Sequence, residues 1–260
     1  MIVASNVKVS LGKRRVLQGI DFAAQAGALT AIVGPNGSGK TTLLRAMTGD
    51  VAYDGQVTLD NQNIKQMKPW DLAARRAVLP QATRLAFPFT VYEVVRLGLS
   101  AGIDAGQTDL VQFALRRVGL SGFEGRFYQE LSGGEQQRAQ LARVLVQVWT
   151  PVVAGKPCWL FLDEPVASLD IGHQLEVMRL CRDYAASGGG VVAVMHDLNL
   201  TAMFADGVAM IHEGQLMAQG TSDEVLTDAF LSKAYGCQLR VNATPPGSAT
   251  FVLPHTASLA

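Results

Sequence analysis

The chain has 260 residues, with 22 basic side chains against 22 acidic ones and 48% hydrophobic residues. That length suits one large or two small domains with a substantial core, and the charge balance gives no sign of a nucleic-acid-binding surface. No run reaches ~18 uninterrupted apolar residues, the length of a membrane span, and the N-terminus starts directly into a strand-like pattern without a signal peptide. Cys158, Cys181 and Cys237 are widely spaced and odd in number. They form neither a disulfide framework nor a metal-ligand spacing, which fits a reducing compartment with Cys158 and Cys181 in the core.

In chain order, Met1–Val9, Ile20–Ala24 and Gly55–Leu59 are short alternating segments bounded by Gly and Asn, and predict an antiparallel sheet. Between them the apolar run Ala28–Val33 reads as a buried strand. It feeds Gly34-Pro35-Asn36-Gly37-Ser38-Gly39-Lys40-Thr41, which fits the template G-x-x-x-x-G-K-[ST], and Thr42–Met47 reads as the helix leaving the loop. Glycines there let successive backbone N–H groups turn toward a phosphate, and the helix start adds partial positive charge. Lys40 would reach the β/γ-phosphates of a nucleoside triphosphate and the Thr41 hydroxyl would ligate Mg²⁺.

Val78-Leu79-Pro80-Gln81 predicts a strand that ends the first core portion. From about residue 85 to 150 the periodicity becomes helical, as in Val91–Leu97 and Leu110–Val118, with breaks expected at Gly98, Gly102 and Gly119. This stretch predicts an inserted helical lobe. Near its start the Pro-broken Phe87-Pro88-Phe89 is either core or interface. Near its end Leu131-Ser132-Gly133-Gly134-Glu135 reads as a second phosphate-reading motif.

The apolar run Trp159–Leu162 ends in Asp163-Glu164. In a doubly covered parallel sheet the strand's carboxyl end is where ligands sit, so Asp163 would hold Mg²⁺ and Glu164 would polarise an attacking water as general base. The alternative is an acidic turn that caps the next helix, since Pro165 follows at once. Ser168-Leu169-Asp170 leads into a helix, and the strand Gly190–Met195 delivers His196-Asp197 to the same sheet edge. His196 there is a γ-phosphate sensor or a satisfied hydrogen-bonder. Pro245-Pro246-Gly247 marks the last ~15 residues as a loosely packed tail. The fold class read from these patterns is α/β, with no internal repeat and no low-complexity stretch.

Taken together, Gly34–Thr41, Gln81, Leu131-Ser132-Gly133-Gly134-Glu135-Gln136-Gln137-Arg138, Asp163-Glu164, Asp170 and His196 resemble the nucleotide-binding subunits of ABC transporters. The resemblance spans about residues 1–235. It implies a P-loop NTPase core with an antiparallel β subdomain (1–84 and 156–235), an inserted helical signature subdomain (85–155) and a tail (236–260). It also implies an ATP hydrolase coupled to transmembrane transport. Gly34, Pro35, Asn36, Gly37, Ser38, Gly39, Lys40, Thr41 and Thr42 would bind ATP, with Mg²⁺ held by Thr41, Gln81 and Asp163. Glu164, His196 and Gln81 would serve hydrolysis. Ser132, Gly133, Gly134 and Asp170 would act in trans on the nucleotide of a second copy, so that two chains sandwich two nucleotides. Gln81 would connect the Mg²⁺ and the attacking water to a permease-contacting region.

Phe87-Pro88-Phe89-Thr90-Val91, the insert Trp149–Pro157, Ile171-Gly172-His173-Gln174 and the tail segment Val252-Leu253-Pro254 are similar to the haemin-importer ATPases, within the group that also imports ferric siderophores and cobalamin. The implied partners are a permease dimer at the cytoplasmic face of the inner membrane and, indirectly, a periplasmic haem-binding protein. Siderophore or cobalamin import is the nearest alternative. A non-transport ATPase of DNA repair or translation is the other class, disfavoured by the absence of sustained heptads, of a second cassette and of net positive charge. The chain departs from the family at one place. An aromatic that stacks on adenine is expected just before the first β-region Gly, but Leu11 precedes Gly12 and no aromatic lies between Met1 and Phe22.

Overall fold

The computed structural model describes residues 1–82, 85, 87–101, 107, 109–245, 247 and 250–257. β1 (Ile2–Leu11) and β2 (Arg14–Ala24) form a hairpin turning at Gly12-Lys13. β3 (Leu29–Val33) runs into the phosphate loop and α1 (Lys40–Thr48) leaves it. β4 (Asp54–Leu59) returns to pair antiparallel with β1, and the short β5 (Gln62–Asn63) pairs with β4. The antiparallel sheet predicted at the N-terminus therefore exists, in the order β2-β1-β4-β5. Its second strand starts at Arg14 rather than Ile20. Hairpin pairing with β1 holds Arg14 and Arg15 extended although neither is buried, a tertiary constraint that alternation of hydrophobicity does not record.

α2 (Pro69–Ala73) and β6 (Arg76–Leu79) follow, then the helices α3 (Val91–Ala101), α4 (Asp109–Arg117) and α5 (Gly133–Gln147). Gly98 does not break α3 as expected but lies inside it. A Cβ there would stand 1.9 Å from the Arg143 carbonyl oxygen of α5, so glycine permits the two helix backbones to touch. That close approach outweighs the ~1 kcal/mol that glycine costs a helix interior. Gly119, with φ +69°, does follow the end of α4, whereas Gly102 lies outside the described residues.

The insert Trp149–Pro157 contains a hairpin of β7 (Val152–Val153) and β8 (Lys156–Pro157). Then come β9 (Trp159–Asp163), α6 (Ile171–Ala186), β10 (Gly190–Val194), α7 (Leu198–Phe204), β11 (Gly207–His212), β12 (Gln215–Gly220), α8 (Ser222–Val225) and α9 (Asp228–Tyr235). The central sheet runs β12-β11-β3-β10-β9-β6, parallel except for the edge strand β12.

β3, β9 and β10 are buried along their whole length, and alternate residues enter two different cores. Leu29, Ala31, Val33, Leu160, Leu162, Val191 and Ala193 face a core shared with α3–α6. Ile32, Phe161, Val192 and Val194 face one built with Leu43, Leu44 and Met47 of α1 and with Val7, Leu17 and Ile20 of the antiparallel sheet. Each fully buried side chain of this size contributes about 1.5–3 kcal/mol of burial, which fixes the strands' positions at their carboxyl ends. Register aligns those ends: Ile32 lies beside Val194, Val194 beside Asp163, and Leu162 beside Leu79. Gly34, Glu164, His196 and Gln81 thus leave the sheet along one edge.

Beyond α9 the chain is tied back rather than loose. The Leu239 N–H donates to the Ser232 hydroxyl at 2.9 Å and the Val241 N–H to Asp228 at 2.7 Å. Pro254–Thr256 forms a 3-10 turn beside α7, while Phe251 and Val252 just before it are exposed.

Candidate active site

A cavity of about 640 Å³ opens at the sheet edge. One wall is the loop between β3 and α1, where Asn36, Gly37, Gly39, Lys40, Thr41 and Thr42 face it. The loop depends on glycine at Gly34, whose φ is +143° and whose added Cβ would lie 2.0 Å from the Ile211 carbonyl oxygen. Lys40 is 6% exposed and donates to the carbonyl oxygens of Gly34 at 2.9 Å and Pro35 at 3.0 Å. Burial pushes its pKa below the ordinary 10.5, while Glu164 and Asp163 pull it back up.

The opposite wall holds Glu164, while Asp163 before it is buried at the end of β9. The Thr41 hydroxyl donates to Asp163 Oδ1 at 3.0 Å, which joins the first residue pair of the helix to the end of β9. Asp163 is 2% exposed, and burial raises its pKa above 3.8, with the Thr41 hydrogen bond working against that rise. Glu164 leaves the strand at φ +54°, which turns its side chain away from that of Asp163 and into the cavity. Its Oε1 accepts from Gln81 Nε2 at 2.9 Å and pairs with His196 Nε2 at 2.7 Å. The three residues predicted to serve hydrolysis therefore meet at one carboxylate oxygen.

Asp163, Thr41 and Gln81 offer hard oxygen donors: a carboxylate, a hydroxyl and a side-chain amide. Such a set suits Mg²⁺, which takes one or two carboxylates and draws its other ligands from water and substrate phosphates. Among the described residues no group of three or more His, Cys, Asp or Glu is placed to hold a metal ion.

Other predicted residues lie elsewhere. Ser132 caps α5: its hydroxyl accepts from the Glu135 N–H at 3.4 Å while Glu135 accepts from the Ser132 N–H at 2.7 Å. Asp170 caps α6 through the His173 N–H at 2.9 Å. Neither these caps nor Gly133 and Gly134 line the cavity. Leu11 is also outside it, 49% exposed, and the wall beside the loop is made by Arg14 and Val16.

Sequence reading missed those two residues, because β2 was expected to start later. It also gave no role to Gln137, whose Nε2 donates to the Glu164 carbonyl oxygen at 3.2 Å and so couples the signature helix to the catalytic loop. The signal was its place beside the second phosphate-reading motif. Of the two readings left open for this segment, core packing holds for Phe89. Phe87 is 68% exposed, and its ring meets that of Phe89 edge-on at 6.3 Å while Phe89 packs on the core.

The ABC transporter family profile matches residues 17–167, which carry the loop, the signature helix and both acids. The chain belongs to this family. Among curated relatives, a hemin import ATP-binding protein, HmuV, of Jannaschia sp. (strain CCS1) is 65% identical over 99% of this chain and 95% of that protein. The protein of that name from Roseobacter denitrificans is 63% identical over 98% of both chains. Of solved structures, an ATP-binding cassette of an ABC transporter in its ADP conformation superposes with a TM-score of 0.76 at 24% identity, over 90% of this chain and 98% of that one. A bacterial Atm1-family ABC exporter with ATP bound gives 0.77 at 25% identity, over 90% of this chain and 41% of that one. These structures share the ABC ATPase fold. Among the described residues no helix is long and apolar enough to cross a membrane.

Proposed function

We propose that the chain is the ATP-hydrolysing motor of an ABC importer that takes up haemin. The observation that carries the hydrolytic part is Glu164, turned into the cavity by its left-handed backbone and held by Gln81 and His196. The loop N–H groups and Lys40 bind the β- and γ-phosphates, and Lys40 gives up its hydrogen bonds to the loop carbonyls to do so. Glu164 takes the proton of an attacking water. His196 and Gln81 fix the orientation of that carboxylate, which a general base requires before its basicity counts. Mg²⁺, held by Thr41, Asp163 and Gln81, would supply charge neutralisation at the phosphates.

The positions of Ser132, Gly133, Gly134 and Asp170 outside the cavity support a role in trans. Ser132 at the head of α5 presents a helix start that suits a phosphate of a second copy. Two chains then enclose two ATP molecules, and a permease dimer docks on them at the cytoplasmic face of the inner membrane. Haemin as cargo is supported by the two HmuV relatives, whose identity extends over nearly the whole chain. A periplasmic haem-binding protein completes the importer.

The test is the transporter reconstituted in vesicles with its permease and binding protein, with uptake of haemin measured against a ferric siderophore and cobalamin. Haemin uptake that requires ATP inside the compartment facing this subunit is expected. Uptake of a competitor in place of haemin refutes the cargo while leaving the ATPase chemistry intact.

A further inference from the structure

Val16 and Arg14 lie two residues apart on β2, on either side of an irregularity in its pairing with β1, where Val9 pairs with Leu17 but Ser10 with Arg15. Val16 abuts the start of α1: a Cβ added to Gly39 would lie 3.5 Å from the Val16 carbonyl oxygen and 3.7 Å from its Cγ1. Arg14 and Val16 both line the cavity that contains Lys40 and Thr41 and both border the adjoining groove, so with Asn36 and Gly37 they form the wall between the two.

The cavity wall opposite is taken by Gln81, Glu164 and His196, the groups that serve the terminal phosphate. A nucleotide with its phosphates on the loop must extend its base toward the remaining side, where Val16 and Arg14 stand. None of the described residues lining that cavity has a phenyl, phenol or indole ring. Among the described residues the Arg14 side chain makes no hydrogen bond or ion pair, and it is exposed.

We propose that Arg14 is the base-holding residue, laying its guanidinium on the face of the nucleobase while Val16 packs beneath the sugar. The inference rests on the nucleotide reading of the site. A guanidinium is planar and delocalised and stacks on aromatic faces, which the compact ammonium of lysine does not do equally. Every base offers a π-face, so such a contact grips adenine and guanine alike.

The experiment is calorimetric binding of ATP, GTP and inorganic tripolyphosphate to the full chain and to Arg14→Ala, Arg14→Lys and Arg14→Tyr, with far-UV circular dichroism confirming the fold of each. ATP and GTP are expected to bind the native chain within about tenfold of each other, a gap under about 1.4 kcal/mol. Arg14→Ala should weaken both nucleotides by about 5- to 150-fold, the range of one base stack, and leave tripolyphosphate unchanged. Arg14→Tyr should restore nucleotide binding and Arg14→Lys should not. Equal loss of tripolyphosphate would make Arg14 a phosphate contact and overturn the proposal. Retention of ATP by Arg14→Ala, or full rescue by Arg14→Lys, also overturns it. A native chain that binds neither nucleotide would defeat the nucleotide reading itself, an outcome separate from these.

Discussion

Two adjacent carboxylates at the end of β9 experience different environments, which suits them to different tasks. Asp163 sits in the sheet edge against Thr41, whereas the left-handed turn at Glu164 swings the next carboxylate to Gln81 and His196. Glu164→Gln should keep ATP binding and lose hydrolysis by about 10²–10⁴-fold, the range of a positioned general base. Equilibrium binding and single-turnover hydrolysis separate the two effects, and undiminished turnover would remove Glu164 from the mechanism.

Asp163 makes a pH-dependent prediction. Burial raises its native pKa above 3.8, helped by Glu164 and opposed by Thr41, Lys40 and His196. Between 3.8 and the raised value the native state holds more protons than the unfolded chain, so this residue's contribution to stability falls as pH rises through that window. Asp163→Asn removes the buried charge. In nucleotide-free protein its melting temperature at neutral pH should exceed that of the native chain, with the gap closing as pH is lowered toward 3.8, while Mg²⁺-dependent hydrolysis is lost. A gap independent of pH would show that Asp163 carries no such penalty.

Helix contacts decide behaviour at the next scale. Gly98 lets α3 touch α5, and Gly98→Ala must push a methyl group into the Arg143 carbonyl. Overpacking of this kind costs about 1–3 kcal/mol, to be read from the urea midpoint, and an unchanged midpoint would mean that the two helices slide apart freely. α5 also begins at Ser132, whose capping box orders the helix start. Ser132→Ala should lose about 1 kcal/mol of capping. Ser132→Arg adds a bulky charge where the proposed sandwich would place the second copy's phosphate, and should abolish cooperative hydrolysis while ATP binding to the monomer survives. Comparison of the two variants separates the cap from the sandwich. Equal loss of affinity and turnover in Ser132→Arg would place the signature within one chain's own site.

At the scale of the whole molecule, no cluster of His, Cys, Asp or Glu among the described residues offers the proposed cargo a site. Its histidines are dispersed: His173 pairs with Asp170, His196 with Glu164, and His212 lies 3.9 Å from Glu213. The isolated subunit should therefore give no saturable haem spectrum, and its ATPase rate should rise only when it is docked to the permease with the haem-loaded binding protein. Stimulation across such a distance needs a differential affinity of the loaded transporter for the closed dimer. Stimulation by haemin of the subunit alone would contradict it.

Much of the active site was legible in the sequence because its parts are local. The phosphate loop needs only a buried strand, glycines with the required dihedral angles and Lys40-Thr41 in register. Asp163-Glu164 and His196 each end an apolar run whose length and burial mark a central parallel strand. The family resemblance added Gln81 and the in-trans role of the signature. What the sequence could not decide are contacts between segments distant along the chain. Gly98 reads as a breaker until α5 is laid against α3, and the strand character of Arg14 and Arg15 comes from pairing with β1 rather than from their own side chains. The gathering of Gln81, Glu164 and His196 at one oxygen, the coupling of Gln137 to that loop and the replacement of Leu11 by Arg14 at the cavity wall arise from sheet register and packing. Local pattern fixes which elements form, because periodicity and backbone dihedral angles act over a few residues. Which side chains meet depends on how the two cores align those elements, and only the tertiary structure contains that alignment.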